Sequence, residues 1–140
     1  MGRRHTDRKL AMIILYQSDV QGVGIQELLT LFREKSGCSL SKRRWGGVLA
    51  ESVESKKEDV DKWIVDYTIG WDIARINPID KSILRVAFYE LLFSTLDAQI
   101  ILNEAIEISK KYSTEDSPKF INGILGQYLK NYPSRVQRSK

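Results

Sequence analysis

The sequence predicts an all-α protein that folds as a compact bundle of about seven helices. Apolar residues recur at three- and four-residue intervals along most of the chain, which is the spacing of one helix face. Strand-like alternation bounded by hairpin turns is absent. Only three prolines occur, and none interrupts a strongly periodic segment. A length of 140 residues is typical of one domain and is sufficient to bury a substantial core.

The N-terminal half contains four predicted helices. The first runs from about Asp7 to Ser18, with Thr6 as a candidate N-cap. Glycines at positions 22 and 24 separate it from a second helix that ends at Gly37, and Ser41 is a candidate cap for the third. A break near positions 55–57 precedes the fourth. The apolar residues that define the second, third and fourth faces are Ile25, Leu28, Leu29 and Phe32, then Trp45, Val48, Leu49 and Val53, then Val60, Trp63, Ile64 and Tyr67.

Three further helices are predicted between positions 77 and 131, and their start signals are clear. Asn77 can cap the fifth helix, Pro78 suits its first position, and Asp80 places a negative charge in its first turn. Asp97 can cap the sixth, and Ser117-Pro118 opens the seventh. The residues at core spacing are Ile83, Leu84, Ala87, Leu91 and Leu92, then Ile101, Ala105, Ile108 and Tyr112, then Phe120, Ile121, Ile124, Leu125 and Tyr128.

The positive charge of the chain is modest, but it is unevenly distributed. Twenty-two basic and eighteen acidic residues give a net charge of +4. Basic residues cluster at Arg3, Arg4, Arg8 and Lys9, at Lys42–Arg44, and at Arg135, Arg138 and Lys140. The middle cluster is most simply a solvated face. Residues 1–132 are expected to form the single domain, followed by a basic, disordered tail over residues 133–140.

Several classes of protein do not fit this sequence. No apolar run reaches the roughly 20 residues that a membrane-spanning helix needs, and no signal-peptide cleavage site follows the basic N-terminus. Cys38 is the only cysteine, so no internal disulfide is possible. A phosphate-binding loop, a zinc-protease motif and a nucleophile elbow are all absent, and His5 is the only histidine. We therefore expect a cytoplasmic, non-enzymatic protein with no catalytic residues, no metal site and no cofactor.

Four blocks of the sequence together resemble the NusB family of bacterial transcription antitermination factors. The first block, Arg4–Tyr16, has arginines and then a helix that ends in Leu-Tyr. The second, Trp71–Leu92, contains D-K-S-I-L-R-V-A-F-Y-E-L. The third, Ile101–Lys110, contains the N-E-A motif, and the fourth, Asp116–Leu125, contains F-I-N-G-I-L. The resemblance covers nearly the whole chain, although residues 20–60 match only in helical pattern.

This resemblance implies a fold and a function. Proteins of the family have an all-helical fold of two small subdomains. They pair with NusE, which is also a small-subunit ribosomal protein, and the pair binds the boxA element of nascent ribosomal RNA. The complex joins RNA polymerase and allows it to read through terminators. Some members self-associate, so both a monomer and a homodimer remain open for this chain.

The resemblance also indicates candidate RNA-binding residues. It assigns RNA contacts to the N-terminal arginines, here Arg4 and Arg8, and together with Lys9 these can neutralise phosphates. Single-stranded RNA is read by stacking its bases and bonding their edges. Phe120, beside Lys119, is the aromatic residue best placed to stack, and the Asp116 carboxylate can accept a hydrogen bond from a base. The alternatives are ordinary core packing for Phe120 and a helix-start role for Asp116.

Partner contacts are implied at Tyr16 and Asp80, which match positions at the NusE surface in the family. Without the resemblance, Tyr16 is a half-buried helix residue and Asp80 a favourable first-turn charge. Three other polar residues in the matched blocks are expected to be structural, because polar groups within apolar segments usually satisfy a neighbouring turn or helix. They are Arg85, Glu104 and Asn122.

Two other functions are compatible with the sequence. One is a helical scaffold for protein–protein contacts whose basic face is incidental. The other is the RNA-binding module that precedes some ribosomal RNA cytosine methyltransferases. Binding to RNA at low salt separates the scaffold from the two RNA-binding functions, and a preference for boxA over structured ribosomal RNA separates the remaining two.

Overall fold

The fold is all-α, as the sequence predicts. A computed structural model describes residues 2–36, 40–68 and 72–132, and among these residues it contains helices and no strand. A short 3₁₀ turn over Ile73–Arg75 precedes the fifth helix. The α-helices are α1 (Gly2–Gln21), α2 (Ile25–Ser36), α3 (Leu40–Ser55), α4 (Lys57–Tyr67), α5 (Pro78–Phe93), α6 (Ala98–Tyr112) and α7 (Ser117–Asn131).

The core is divided into two hydrophobic clusters. The smaller cluster lies among α1, α2 and α3 and takes Val86 from α5. The larger lies among α4, α5, α6 and α7 and takes Met12 from α1. Both α1 and α5 therefore contribute to both clusters and join them. This division agrees with the two small subdomains that the resemblance implies.

Helix α5 is the central helix, and it buries charged as well as apolar residues. Every residue from position 80 to 88 is buried. The Arg85 guanidinium donates two hydrogen bonds to the Asp61 carboxylate on α4, at 2.8 and 2.9 Å. It also lies 3.7 Å from Asp19 on α1, and Lys81 forms an ion pair with the same aspartate at 2.9 Å. The prediction that Arg85 joins helices is confirmed.

Two predicted helix caps are present. The Asn77 Oδ1 atom accepts a hydrogen bond of 2.8 Å from the backbone N–H of Ile79 at the start of α5. The Asp97 Oδ1 atom accepts one of 2.8 Å from the N–H of Gln99 at the start of α6. Each cap satisfies a backbone donor that has no partner within its own helix.

The start of α1 differs from the prediction. The helix begins at Gly2 instead of Asp7, so Thr6 lies inside it and does not cap it. Tertiary contacts explain the extra turn, because His5 and Arg8 both contact Glu104 on α6. Such contacts are not visible in a local pattern.

Helix α3 begins at Leu40, so Ser41 also lies inside a helix instead of capping it. Its two glycines, which interrupt the helical pattern in the sequence, lie at close helix contacts. A Cβ atom on Gly46 would lie 2.9 Å from a Leu10 methyl group of α1, and one on Gly47 would lie 3.0 Å from Leu29 of α2. These glycines therefore allow α3 to pack closely against its two neighbours.

Some sequence predictions concern residues that the structure does not describe. Cys38, Trp71 and the tail over residues 133–140 lie outside the described ranges. Arg4 lies in the first turn of α1 and Lys42–Arg44 lie in α3, but their side chains are likewise outside the described part. Among the described residues, no helix is long and apolar enough to cross a membrane.

Candidate nucleic-acid interface

Three helix segments form the candidate interface: the N-terminal half of α1, the C-terminal end of α6 and the first turn of α7. We call the residues Lys9, Tyr112, Asp116, Lys119 and Phe120 the basic face. Lys9 is half-buried, whereas Lys119 and Asp116 are exposed at the start of α7. Helix α1 contacts α6 directly through Glu104, and the turn between α6 and α7 joins the other two segments. Residues far apart in the sequence are thereby brought to one region.

A charged network joins α1 to α5 and α6 next to this face. Arg8 is only 3% exposed, and its Nε atom donates a 2.8 Å hydrogen bond to Glu90 on α5. A second nitrogen of the same guanidinium donates to Glu104 on α6 at 3.2 Å. His5 Nδ1 lies 3.1 Å from both Glu104 oxygens. The network therefore fixes the position of the α1 N-terminal half on the two helices.

Lys9 points toward an aromatic ring that the sequence analysis assigned to the core. Its Nζ atom lies 5.8 Å from the centroid of Tyr112, within cation–π range. Tyr112 ends α6 and is 37% exposed, so the prediction that it packs in the core is wrong. The reason is its position at the helix end, beyond the neighbours that cover Ile108. The run Lys110-Lys111-Tyr112 is a mixed basic and aromatic segment, and that pattern would have indicated an RNA-binding surface.

The turn between α6 and α7 is held by a buried carboxylate. Asp80 on α5 accepts a hydrogen bond from the Ser113 hydroxyl at 2.5 Å and one from the Ser117 hydroxyl at 2.9 Å. The Ser117 hydroxyl oxygen in turn accepts a 3.1 Å hydrogen bond from the backbone N–H of Thr114. This arrangement fixes the start of α7, on which Lys119 and Phe120 lie.

Asp116 and Phe120 occupy the start of α7 in different ways. Asp116 is at the N-cap position, but its side chain makes no capping hydrogen bond and is exposed. Its carboxylate therefore points outward, where it can accept a hydrogen bond from a ligand. Phe120 is half-buried and packs against the larger hydrophobic cluster. A half-buried ring of this kind suits base stacking, because packing fixes its orientation before binding.

The two residues predicted to contact a partner lie in different environments. Tyr16 is half-buried on α1 and packs against the larger cluster, which leaves part of its side chain accessible. Asp80 is 5% exposed and is engaged by two hydroxyl groups. A direct partner contact by Asp80 does not fit this burial, whereas a supporting role for the α6–α7 turn does.

Arg8, like Asp80, is better placed to support the interface than to contact a ligand directly. A direct phosphate contact would require the Arg8 guanidinium to leave Glu90 and Glu104, and breaking a buried ion pair is costly. The basic face thus retains Lys9 and Lys119 as accessible cations, with Tyr112 added. Sequence reasoning missed the contact of His5 with Glu104, although it did predict a structural role for Glu104. Within the described ranges, no group of His, Cys, Asp and Glu side chains has the geometry of a metal site.

Comparison with known proteins agrees with this architecture. The model of the NusB family matches residues 5–130. The transcription antitermination protein NusB of Geobacter sulfurreducens is 38% identical over 138 residues, which span 96% of this chain and 99% of that protein.

Solved structures resemble the fold over most of its length. One is a crystal structure of the antitermination factors NusB and NusE in complex with dsRNA. It matches with a TM-score of 0.82 and 25% identity, over 94% of this chain and 99% of the matched chain. The solution structure of NusB from Aquifex aeolicus matches with a TM-score of 0.78 and 26% identity, over 96% of this chain and 92% of the matched chain.

Proposed function

This chain belongs to the NusB family, and we propose that it is a transcription antitermination factor that binds boxA-type RNA together with a NusE partner. In this role it joins the RNA polymerase antitermination complex on nascent ribosomal RNA as an adaptor, without catalysing a reaction. The relative from Geobacter sulfurreducens carries the name of an antitermination protein, and a similar solved structure holds NusB with NusE and RNA.

The proposal is supported chiefly by the Lys9 amino group, which lies near the Tyr112 ring, and by the short turn that leads from Tyr112 to the start of α7. Amino groups neutralise phosphates and give affinity that depends on salt. The Tyr112 and Phe120 rings provide surfaces on which unpaired bases can stack, and the Asp116 carboxylate provides an acceptor for a base edge. The combination of these three kinds of group is what single-stranded RNA requires.

We assign Arg8 a positioning role beneath this face. Its two ion pairs hold α1 on α5 and α6, and Lys9 is the next residue in the chain. The position of the Lys9 amino group over Tyr112 therefore depends on the Arg8 network. Asp80 acts in the same way on the α7 side through Ser113 and Ser117.

Salt dependence of RNA binding tests this proposal. A variant that combines Lys9→Gln and Lys119→Gln removes two phosphate contacts, so the slope of log affinity against log salt should become shallower by about 1.4. The matched control is Lys62→Gln, because Lys62 is an exposed lysine on α4, outside the basic face. Fluorescence anisotropy with a boxA strand at several salt concentrations measures the slope. Equal slopes for the double variant and the parent would contradict the placement of the RNA, and absence of RNA binding would favour the scaffold function.

A further inference from the structure

A groove between α3 and the C-terminal end of α5 lies outside the basic face. It has a volume of about 330 Å³ and extends to the loop that joins α5 to α6. Trp45, Leu49 and Ser52 line it from α3, and their spacing of four and three residues puts them on one helix face. Tyr89 lines it from α5. Because ligand pockets begin at about 300 Å³, a groove of this size accepts a small planar molecule or one nucleotide.

The two aromatic rings of the groove are held in place by their neighbours. Trp45 and Tyr89 are half-buried, and both pack against the smaller hydrophobic cluster. The Arg8 guanidinium lies 5.9 Å from the centroid of the Trp45 ring, within cation–π range. The centroid of the Phe93 ring lies 5.4 Å from that of Tyr89. Rings that are fixed in this way suit stacking of a flat ligand, since little side-chain freedom is lost on binding.

The charges in the groove favour a ligand without net charge. Among the described residues that line it, Glu90 is the only charged one. Its carboxylate accepts a 2.8 Å hydrogen bond from the Arg8 Nε atom, and both side chains are buried. A second cation would be repelled by Arg8, and an anion would be repelled by the carboxylate. A neutral planar group therefore fits the groove best.

The loop between α5 and α6 adds a polar group at the edge of the groove. The Ser94 hydroxyl donates a 2.7 Å hydrogen bond to the carbonyl of Glu90 and accepts one of 3.3 Å from the backbone N–H of Leu96. These two bonds fix the loop on which the exposed Thr95 lies, and Thr95 also lines the groove. A hydroxyl group both donates and accepts, so Thr95 can bond the edge of a nucleobase.

The groove adjoins the proposed RNA-binding surface. Glu90 in its wall binds Arg8, and the next residue, Lys9, belongs to the basic face. In the sequence, Lys42–Arg44 directly precede Trp45. Basic residues next to an aromatic residue are typical of nucleic-acid-binding segments. An RNA strand on the basic face can therefore reach the groove with a neighbouring nucleotide.

We propose that this groove holds one unpaired nucleobase, stacked on the ring of Trp45 or Tyr89 and bonded at its edge to Thr95. This inference rests on the proposed function where the base comes from RNA, since it adds a nucleotide that flanks the boxA element. A free nucleoside presents the same planar, neutral chemistry, and the experiment separates the two sources.

RNA strands of different length test the groove. Two boxA strands, each extended at one end by a short run of unpaired adenosines, are compared with the unextended strand. One of them should bind about tenfold more tightly, because an added base stacks in the groove. The same strand with abasic residues at the added positions keeps the phosphates and should lose this gain. Fluorescence anisotropy measures each affinity.

Filling the groove gives the matched test on the protein. Ser52→Phe occupies the groove but leaves its rings and Thr95 in place, so it should abolish the gain. Its binding of the unextended strand should equal that of the parent, which also shows that the variant is folded. Trp45→Leu should lose the gain as well, because the stacking ring is removed. Thr30→Phe is the control, since Thr30 is exposed on α2 outside the groove.

The outcomes separate this inference from the proposed function. A gain that needs the added bases and is absent in Ser52→Phe assigns the groove to RNA. Calorimetric binding of adenosine by the parent but not by Ser52→Phe, without a gain from longer strands, assigns it to a free nucleoside. An equal gain in the parent and Ser52→Phe, or no gain and no adenosine binding, would overturn the groove and leave the antitermination function intact. Failure of the parent to bind the unextended strand would overturn that function, and adenosine binding would still test the groove.

Discussion

At the scale of single residues, Phe120 has two roles that can be measured separately. The ring is half-buried against the larger cluster and lies beside the exposed Lys119. Phe120→Ala should weaken binding of a boxA strand by about 1–3 kcal/mol, because one stacked base is lost. Fluorescence anisotropy measures this loss, and thermal unfolding of the same variant reports the packing contribution. Collapse of thermal stability with parent-like affinity at low temperature would assign Phe120 to the core alone.

Tyr112 provides a second aromatic test on the same face. Tyr112→Ala should weaken RNA binding by about 1–3 kcal/mol, whereas Tyr112→Phe should bind like the parent because the ring face is retained. Tyr132→Ala is the matched control, since Tyr132 is a similarly exposed tyrosine that contacts Trp63 on α4. If Tyr112→Phe lost as much affinity as Tyr112→Ala, the hydroxyl group would be responsible, and stacking would be excluded.

Asp19 makes the stability of the protein depend on pH. Burial alone would raise the pKa of this carboxyl, but the hydrogen bond and charge of Lys81, with the charges of Arg85 and Lys57, outweigh burial and lower the pKa below 3.8. The unfolded chain therefore takes up this proton at a higher pH than the folded chain does. The stabilisation is complete above the unfolded-state pKa and is lost as the pH falls through the folded-state pKa.

Asp19→Asn should accordingly lower the melting temperature at pH 7, and the difference from the parent should shrink as the pH falls below about 4. Thermal unfolding monitored by circular dichroism at pH 7 and pH 3 measures both. An equal deficit at the two pH values would show that the ionised Asp19 carboxylate does not stabilise the fold.

At the scale of helices, the α6–α7 turn depends on one carboxylate. In Asp80→Asn an amide NH2 group, which cannot accept a hydrogen bond, replaces one of the two oxygens that accept from Ser113 and Ser117. One buried hydroxyl then loses its acceptor, at a cost of about 1–3 kcal/mol. Urea unfolding should show this loss, and RNA binding should weaken because the start of α7 is less well held.

Asp97→Asn is the control for that substitution. Asparagine caps helices as well as aspartate does, so the start of α6 should keep its hydrogen bond to the Gln99 N–H. If Asp80→Asn were as stable as Asp97→Asn, Asp80 would not support the turn. Reversal of the Asp80 charge is less informative, because a buried cation would perturb the fold before it affected any partner.

The helices were largely predictable because their determinants are local. Periodic apolar spacing, the caps at Asn77 and Asp97 and the Ser117-Pro118 start are all readable in short windows. The predictions were wrong where contacts between residues far apart in the sequence, or the end of a helix, decide the structure. The first turn of α1 exists because Glu104, about one hundred residues away, engages His5 and Arg8. Tyr112 has core spacing, yet it is exposed because α6 ends there.

The sequence indicated which residues are candidates for the site, but it did not show which of them are buried or which form ion pairs. Lys9 lies near Tyr112 at the end of α6, and Asp116, Lys119 and Phe120 lie at the start of α7, while their contacts with RNA stay a prediction. Sequence alone did not show that Arg8 is buried between two glutamates, because basic residues near a terminus are usually solvated.

At the scale of the whole molecule, two helices join the hydrophobic clusters that lie beneath the proposed RNA-binding surface. The basic face on α1, α6 and α7 is proposed to bind RNA. The α1 and α5 helices contribute to both hydrophobic clusters and carry both ion-pair networks. They can therefore hold the two clusters, and the helices that carry the basic face, in a fixed relation.

Binding of RNA in the presence and absence of NusE tests the central claim most directly. Fluorescence anisotropy would compare a boxA strand, a scrambled strand of the same composition and a duplex, each at two salt concentrations. We predict a preference for the boxA strand over the scrambled one, greater affinity when NusE is present, and weaker binding at higher salt. Equal binding of boxA and scrambled strands, with NusE as well as without it, would contradict the antitermination role.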